Sequence, residues 1–283
     1  MPLRVDIGAR TDVGRVRSNN EDCYRLVPAL NLFVLSDGMG GEAHGEVASA
    51  LAVETIAVHC LETANNPSTP LLGEPRADLS DKTNRLASAV HLANHRIHEA
   101  ALSDPAHRGM GATILAAWLD GHRMSLAHVG DSRAYLLRGG VLEQLTLDHS
   151  LVAEQVRRGL ITPQQADTST MQSVLIRALG TRPEVEVDAD EQLLLDGDSV
   201  LLCSDGLTRM VTDPEIASNL ITHSEAQAAA DRLVELANEN GGEDNITVVV
   251  IHLRLGSEGL LARLRRWAGG SSDAASSGGG QHG

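Results

Sequence analysis

Residues 32–45 read LFVLSDGMGGEAHG. The apolar run 32–35 predicts a buried strand that ends on Ser36-Asp37-Gly38. A Gly-rich turn follows, and a helical pattern begins near Glu46. A carboxylate at the end of a buried strand, beside a Gly that lets the backbone come close, is a common way to hold an oxygen-loving cation. The same arrangement recurs at 201–206, LLCSDG, so two strand ends of one design are expected to face one site.

Composition narrows the classes. The chain has 283 residues, 42% hydrophobic but only 2% aromatic, so its core must be built from Leu, Val, Ile and Ala. A net charge of −15 argues against a nucleic-acid surface. Cys23, Cys60 and Cys203 are far apart and form no CxxC, which fits a reducing compartment and offers no zinc framework. No uninterrupted apolar run reaches the ~18 residues of a membrane span. The first residues, MPLRVDIGARTD, lack the apolar stretch of a signal peptide. A soluble, cytoplasmic protein is expected.

Outward from the first SDG, strands are expected at 4–10, 22–27 and 32–36, and helices at 46–62 and 83–102 across the Pro-containing loop 65–81. Four short strands follow at 113–119, 123–129, 133–138 and 141–145, then a mixed segment at 150–178. Strands at 184–188, 191–195 and 199–204, helices at 213–221 and 225–239, and a last strand at 246–253 complete the order. Runs of strands separated by helix pairs argue for an α+β fold with antiparallel sheets, not for βαβ alternation. Residues 256–283 stand apart, with a basic amphipathic stretch, LLARLRRW at 260–267, and a Gly/Ser-rich end expected to be disordered.

Asp37, Asp131, Asp205 and Asp244 all sit at ends of apolar runs, and Glu21-Asp22 begins the second strand. Carboxylates converging at one sheet edge repel unless cations neutralise them. Oxygen ligands without His or Cys select Mg²⁺ or Mn²⁺. Two such ions can clamp a water and lower its pKa for phosphoryl transfer.

This set resembles the metal-dependent protein Ser/Thr phosphatases of the protein phosphatase 2C type, in their bacterial form. The matching stretches are GRVRSNNED at 14–22, VLSDGMGG at 34–41, GMGATILAAWL at 109–119, AHVGDSRAYLL at 127–137, LLCSDGLTRMV at 201–211 and EDNITVVVI at 243–251. The resemblance implies an α-β-β-α sandwich, two mainly antiparallel sheets each flanked by a pair of antiparallel helices, in a catalytic domain over 1–255 with a flap at about 146–178. It implies two tightly bound Mn²⁺ or Mg²⁺ ions, with Asp37 bridging, the Gly38 carbonyl, Asp22, Asp205 and Asp244 as ligands, and Glu21 and Asn245 supporting them. Asp131, with Asp205, would hold a third, weaker ion, and Arg17 would bind phosphate, for which its fork is suited. The implied reaction is hydrolysis of phosphoserine and phosphothreonine on proteins by a water bridging the two ions, opposing a bacterial Ser/Thr kinase, in a monomer.

The chain departs from the family pattern in two places. Bacterial members usually read GMGGH, but here Glu42 follows, with His44 two residues on; the leaving-group proton would come from His44, the candidate general acid, with help from Glu42, or from a metal-bound water. The segment DTSTMQS at 167–173 lacks a His-Pro that many bacterial members carry in the flap. Other readings fit less well. A dinucleotide loop at GMGGEAHG would place Asp37 against a pyrophosphate. His91, His95 and His98 share a helix face without the Glu of a zinc protease. A non-catalytic phosphoprotein-binding relative would have lost acids that are all present here.

Overall fold

A computed structural model describes residues 3–40, 44–166 and 168–255. Glu42 and the 256–283 segment therefore lie outside the described residues.

One antiparallel sheet runs in the order β1 (Leu3–Asp12), β11 (Ile246–Leu255), β10 (Ser199–Cys203), β7 (Arg133–Arg138) and β8 (Val141–Gln144). The other runs β2 (Asp22–Val27), β3 (Leu32–Met39), β5 (Ile114–Asp120), β6 (Arg123–Val129) and β9 (Asp188–Leu193), with the short β4 (Gly111–Ala112) on the end of β3. Helices α1 (Gly45–Asn65) and α2 (Asp81–Ser103) cover the second sheet, the short α3 (Leu151–Arg157) and α4 (Pro163–Ala166) lie between β8 and β9, α5 (Asp205–Thr208) follows β10, and α6 (Asp213–Thr222) and α7 (Ala226–Glu239) cover the first sheet.

Period-two side-chain alternation explains why the central strands read as continuous apolar runs. In β3, Leu32 and Val34 face α1 and α2, while Phe33 and Leu35 face the other sheet. In β10, Leu201 and Cys203 meet the α6–α7 side, while Val200 and Leu202 enter the space between sheets. Both faces of these strands are covered, so neither can be polar. Cys203 is packing, as a buried residue with its thiol pushed up to about 12 by burial.

Helix starts follow local chemistry. Ser80 accepts a hydrogen bond from the Thr83 N–H ahead of α2, and Thr212 and Glu215 form a reciprocal capping box on α6. Among the described residues α1 is long and apolar enough to cross a membrane, contrary to the expectation from uninterrupted runs. Its packing against β3, β2 and α2 gives the reason: it is a core helix. The two strands expected at 184–195 are one. Val185 and Val187 pack on the α1–α2 core without joining the sheet, and pairing with β6 begins only at Asp188.

Candidate active site

The strand ends meet at one edge of the sandwich. Asp22 and Asp37 stand directly opposite each other in the β2–β3 ladder, so the register alone makes them neighbours. Asp205 opens the short helix α5 (Asp205–Thr208) after β10. Asp131 lies in the turn from β6 to β7, and Asp244 precedes β11 by two residues. The backbones approach closely here. A Cβ on Gly38 would stand 2.1 Å from the Gly45 carbonyl oxygen, and one on Gly206 would stand 2.0 Å from that of Asn245. Only glycine fits either position.

The carboxylates disturb one another. Burial, then the charges of Asp22, Asp205, Asp131 and Asp244, push Asp37 well above the usual carboxylate range. Burial raises Asp22 to about 7 against the pull of the Thr247 and Ser204 hydroxyls, and raises Asp131 to about 8 with help from Asp205. Asp205 is raised by burial as well. Asp22 Oδ2 accepts from Ser204 Oγ at 2.8 Å, but Asp22 Oδ1 and Asp205 Oδ1 are buried with no partner among the described residues. Orphaned buried oxygens call for an explanation. A donor set of carboxylates without His or Cys fits a hard divalent cation, and the orphaned oxygens are where such an ion would bind.

Asn245 organises the rim. Its Oδ1 accepts from the Glu21 N–H at 2.8 Å, and its Nδ2 donates to the carbonyls of Val13 at 3.0 Å and Asn19 at 2.9 Å. The loop that carries Arg17 is thereby fixed to the start of β11. Arg17 is 55% exposed and donates from Nη2 to Asp244 Oδ2 at 2.9 Å. Glu21 keeps its backbone carbonyl on Ser49 Oγ at 2.6 Å, and burial raises its carboxyl. Thr113 ties the centre together: its Oγ1 accepts from the Asp37 N–H at 2.9 Å and shares a 2.7 Å bond with Ser132 Oγ, beside Asp131. The cleft, about 200 Å³, is lined by Arg17, Asp37, Gly38, Asp131, Asp205 and Asp244 together with Ser173 and Leu175 from the segment between β8 and β9.

A second titratable cluster lies behind Asp131. Ligand-capable atoms of His128, His149 and Asp188 fall within 4.8 Å of one another. They are already engaged. His149 Nδ1 accepts from the Gly130 N–H at 3.0 Å, which assigns its proton to Nε2, facing Asp188 Oδ2 at 3.2 Å. Arg177 Nη1 donates to Asp188 Oδ1 at 2.5 Å, and His128 Nε2 donates to the Leu147 carbonyl at 3.0 Å. The His149 bond and the Arg177 guanidinium hold Asp188 well below the usual carboxylate range. This cluster carries its own cation and braces the Gly130–Asp131 turn, to which the His149 N–H also donates through the Gly130 carbonyl at 2.9 Å.

A family profile described as Protein phosphatase 2C matches residues 15–243. The chain belongs to the protein phosphatase 2C family. It is 42% identical over 248 residues to the serine/threonine protein phosphatase PstP of Mycobacterium tuberculosis, over 88% of this chain and 45% of that protein. It thus spans less than half the length of that relative. It is 38% identical over 253 residues to the serine/threonine phosphatase stp of Listeria innocua, over 88% of this chain and 96% of that one. A solved structure of the PstP catalytic domain in complex with two manganese ions matches with a TM-score of 0.76 at 39% identity, over 89% of this chain and 100% of that chain.

In this protein phosphatase 2C chain, the fold brings Asp22, Asp37, Gly38, Asp131, Asp205, Asp244, Glu21, Asn245 and Arg17 to one edge. His44 is placed differently. It precedes α1 in a left-handed conformation, φ 63°, with Nδ1 3.1 Å from Glu46 Oε1 and its ring edge-on to His107. It is not among the described residues that line the cleft. His98 of the helix trio bonds the Gly180 carbonyl at 2.9 Å and is not gathered with His91 and His95 into a ligand group among the described residues. Sequence reasoning missed Thr113, Ser204, His149 and Arg209. Thr113, Ser204 and Arg209 stand inside the quoted family stretches, but their roles arise from partners in space.

Proposed function

We propose that this chain is a Mn²⁺- or Mg²⁺-dependent phosphatase that removes phosphate from phosphoserine and phosphothreonine on proteins. The observation that carries the reading is the convergence of five buried or half-buried carboxylates with two partnerless oxygens, in a cleft rimmed by an exposed Arg. Asp37, the Gly38 carbonyl, Asp22, Asp205 and Asp244 would hold two ions. When bound, these supply Lewis acidity that lowers the pKa of water and offsets charge on the phosphoryl group.

The chain's own residues supply position. Arg17, held at the rim by Asp244 and by the Asn245 clamp on its loop, presents a planar fork to two phosphoryl oxygens. Thr113 and Ser204 fix Asp37 and Asp22 so that the carboxylates need not rearrange during reaction. Every matched ligand position is an intact acid, which disfavours a non-catalytic relative. The reading extends to a partner Ser/Thr kinase whose products are the substrates, and to a monomeric cytoplasmic catalytic domain over 1–255 with α1 as a core helix.

The test is phosphate release from a phosphothreonine peptide with Mn²⁺ or with EDTA, for wild type and Asp205→Asn. Metal-dependent turnover that collapses in the variant is expected. Wild-type protein that binds Mn²⁺ and releases no phosphate would overturn the catalytic reading.

A further inference from the structure

Arg209 follows Asp205 by four residues and lies on the same short turn. Its Nη2 pairs closely with Asp205 Oδ2, and its Nη1 lies 3.7 Å from Asp244 Oδ2. The backbone beneath it is fixed. The Arg209 N–H donates to the Asp205 carbonyl at 2.9 Å, and Val211 closes on Leu207 at 2.9 Å with both side chains buried. The guanidinium thus rises from a fixed turn and is held at the carboxylates by its pair with Asp205.

Two cavities meet at this point. The cleft and an adjoining cavity of about 440 Å³ share Asp131, Asp205 and Arg209 in their walls. The other nearby guanidiniums are committed elsewhere. Arg17 holds Asp244 from the opposite rim, and Arg133 forks onto Asp148 at 2.7–3.1 Å. Arg209 pairs directly with Asp205, shares the cavity wall with Asp131, and counters the rise of both acids.

We propose that Arg209 is a resident cation that takes the place of a third, weaker metal ion between Asp131 and Asp205. The proposal rests on the two-ion reading above and refines it: this chain is complete with two ions. A fixed guanidinium carries one positive charge and five donors, which offset one of the two carboxylate charges at that edge, and it repels a divalent ion arriving there.

The test counts Mn²⁺ bound to the full chain by calorimetric titration and by electron paramagnetic resonance of free Mn²⁺, for wild type, Arg209→Gln and Arg209→Lys. Wild type is expected to bind two ions and no third. Arg209→Gln should gain a third site, weaker than the first two, with a Kd at least about tenfold below the highest Mn²⁺ concentration at which wild type shows no third ion. Arg209→Lys, which keeps the charge, should gain little. A wild type that takes up a third ion overturns the proposal, whether or not the glutamine variant folds, and leaves the two-ion reading standing. A folded glutamine variant that still binds only two overturns it as well. A wild type that binds fewer than two overturns the two-ion reading and this proposal together.

Discussion

Two buried clusters of ionisable side chains sit back to back across the Gly130–Asp131 turn, and they are built on opposite plans. Around Asp188, the carboxylate has a guanidinium and an imidazole N–H, and it is held in its charged form. Around Asp37, carboxylates face carboxylates, two buried oxygens lack partners among the described residues, and Asp22, Asp37, Asp131 and Asp205 are held toward their neutral forms. Acid content does not separate the two clusters. The difference lies in how far the protein supplies the counter-charge: Arg17 and Arg209 reach Asp244 and Asp205, while Asp22 and Asp37 make no ion pair among the described residues. A cluster that is fully supplied is a brace. A cluster left short is a socket for a cation.

The strongest way to break this contrast is to remove an acid from each side. Asp37→Asn should lower Mn²⁺-dependent turnover by roughly 10³-fold or more, whereas Asp188→Asn should cost no more than about tenfold. Equal losses in a phosphopeptide assay would mean that both clusters act alike.

Stability against pH should separate them next. Without metal, Asp22, Asp37 and Asp131 bind more protons folded than unfolded, because their folded values are raised. Stability should therefore fall as pH rises from about 4 toward the folded values of about 7 for Asp22 and about 8 for Asp131. EDTA-treated protein should melt roughly 5–10 °C lower at pH 8 than at pH 5, and saturating Mn²⁺ should abolish or reverse the difference. A metal-free melting temperature that rises across this range would contradict the socket.

Asp188 has the opposite sign. Its folded value is lowered, so its contribution is fully present above about pH 4, declines as pH falls further, and is gone only once pH passes below the lowered folded value. Asp188→Ala should cost about 1–3 kcal/mol in urea unfolding at pH 7, reduced by the partial exposure of the pair, and measurably less near pH 3, where the contribution has begun to decline. An equal cost at both pH values would remove the ion pair as its source.

The smallest effect is expected at His44, whose Nδ1 is taken by Glu46 and whose ring lies outside the cleft lining. His44→Ala should leave hydrolysis of an aryl phosphate within about twofold. A larger loss confined to a phosphoserine peptide would assign it the leaving-group proton; equal small effects assign that proton elsewhere.

What the sequence showed and hid follows the same physics. β3, β10 and β11 were legible because burial on both faces leaves unbroken apolar runs, each bounded by an acid and a glycine or asparagine. The acids were legible because strand ends place them. Thr113 was not, since its bond to Asp37 spans 76 residues, and nothing local distinguishes it from other strand threonines. Arg209 reads locally as an ordinary helix-turn cation, and only the cavity walls show where it points. The 184–188 stretch has strand composition, yet its valines find burial against the α1–α2 core instead of a ladder partner.

Asn245 reaches forward from the entry of the last strand to hold a loop near the beginning of the chain, and that strand lies between β1 and β10 in its sheet. A nascent chain leaving the ribosome thus carries Arg17 and Asp37 long before it can use them. Until residues 244–255 have emerged, β1 lacks its sheet neighbour and the loop that carries Arg17 lacks its anchor. A product truncated before this strand is therefore expected to release no phosphate from a phosphopeptide, not merely less.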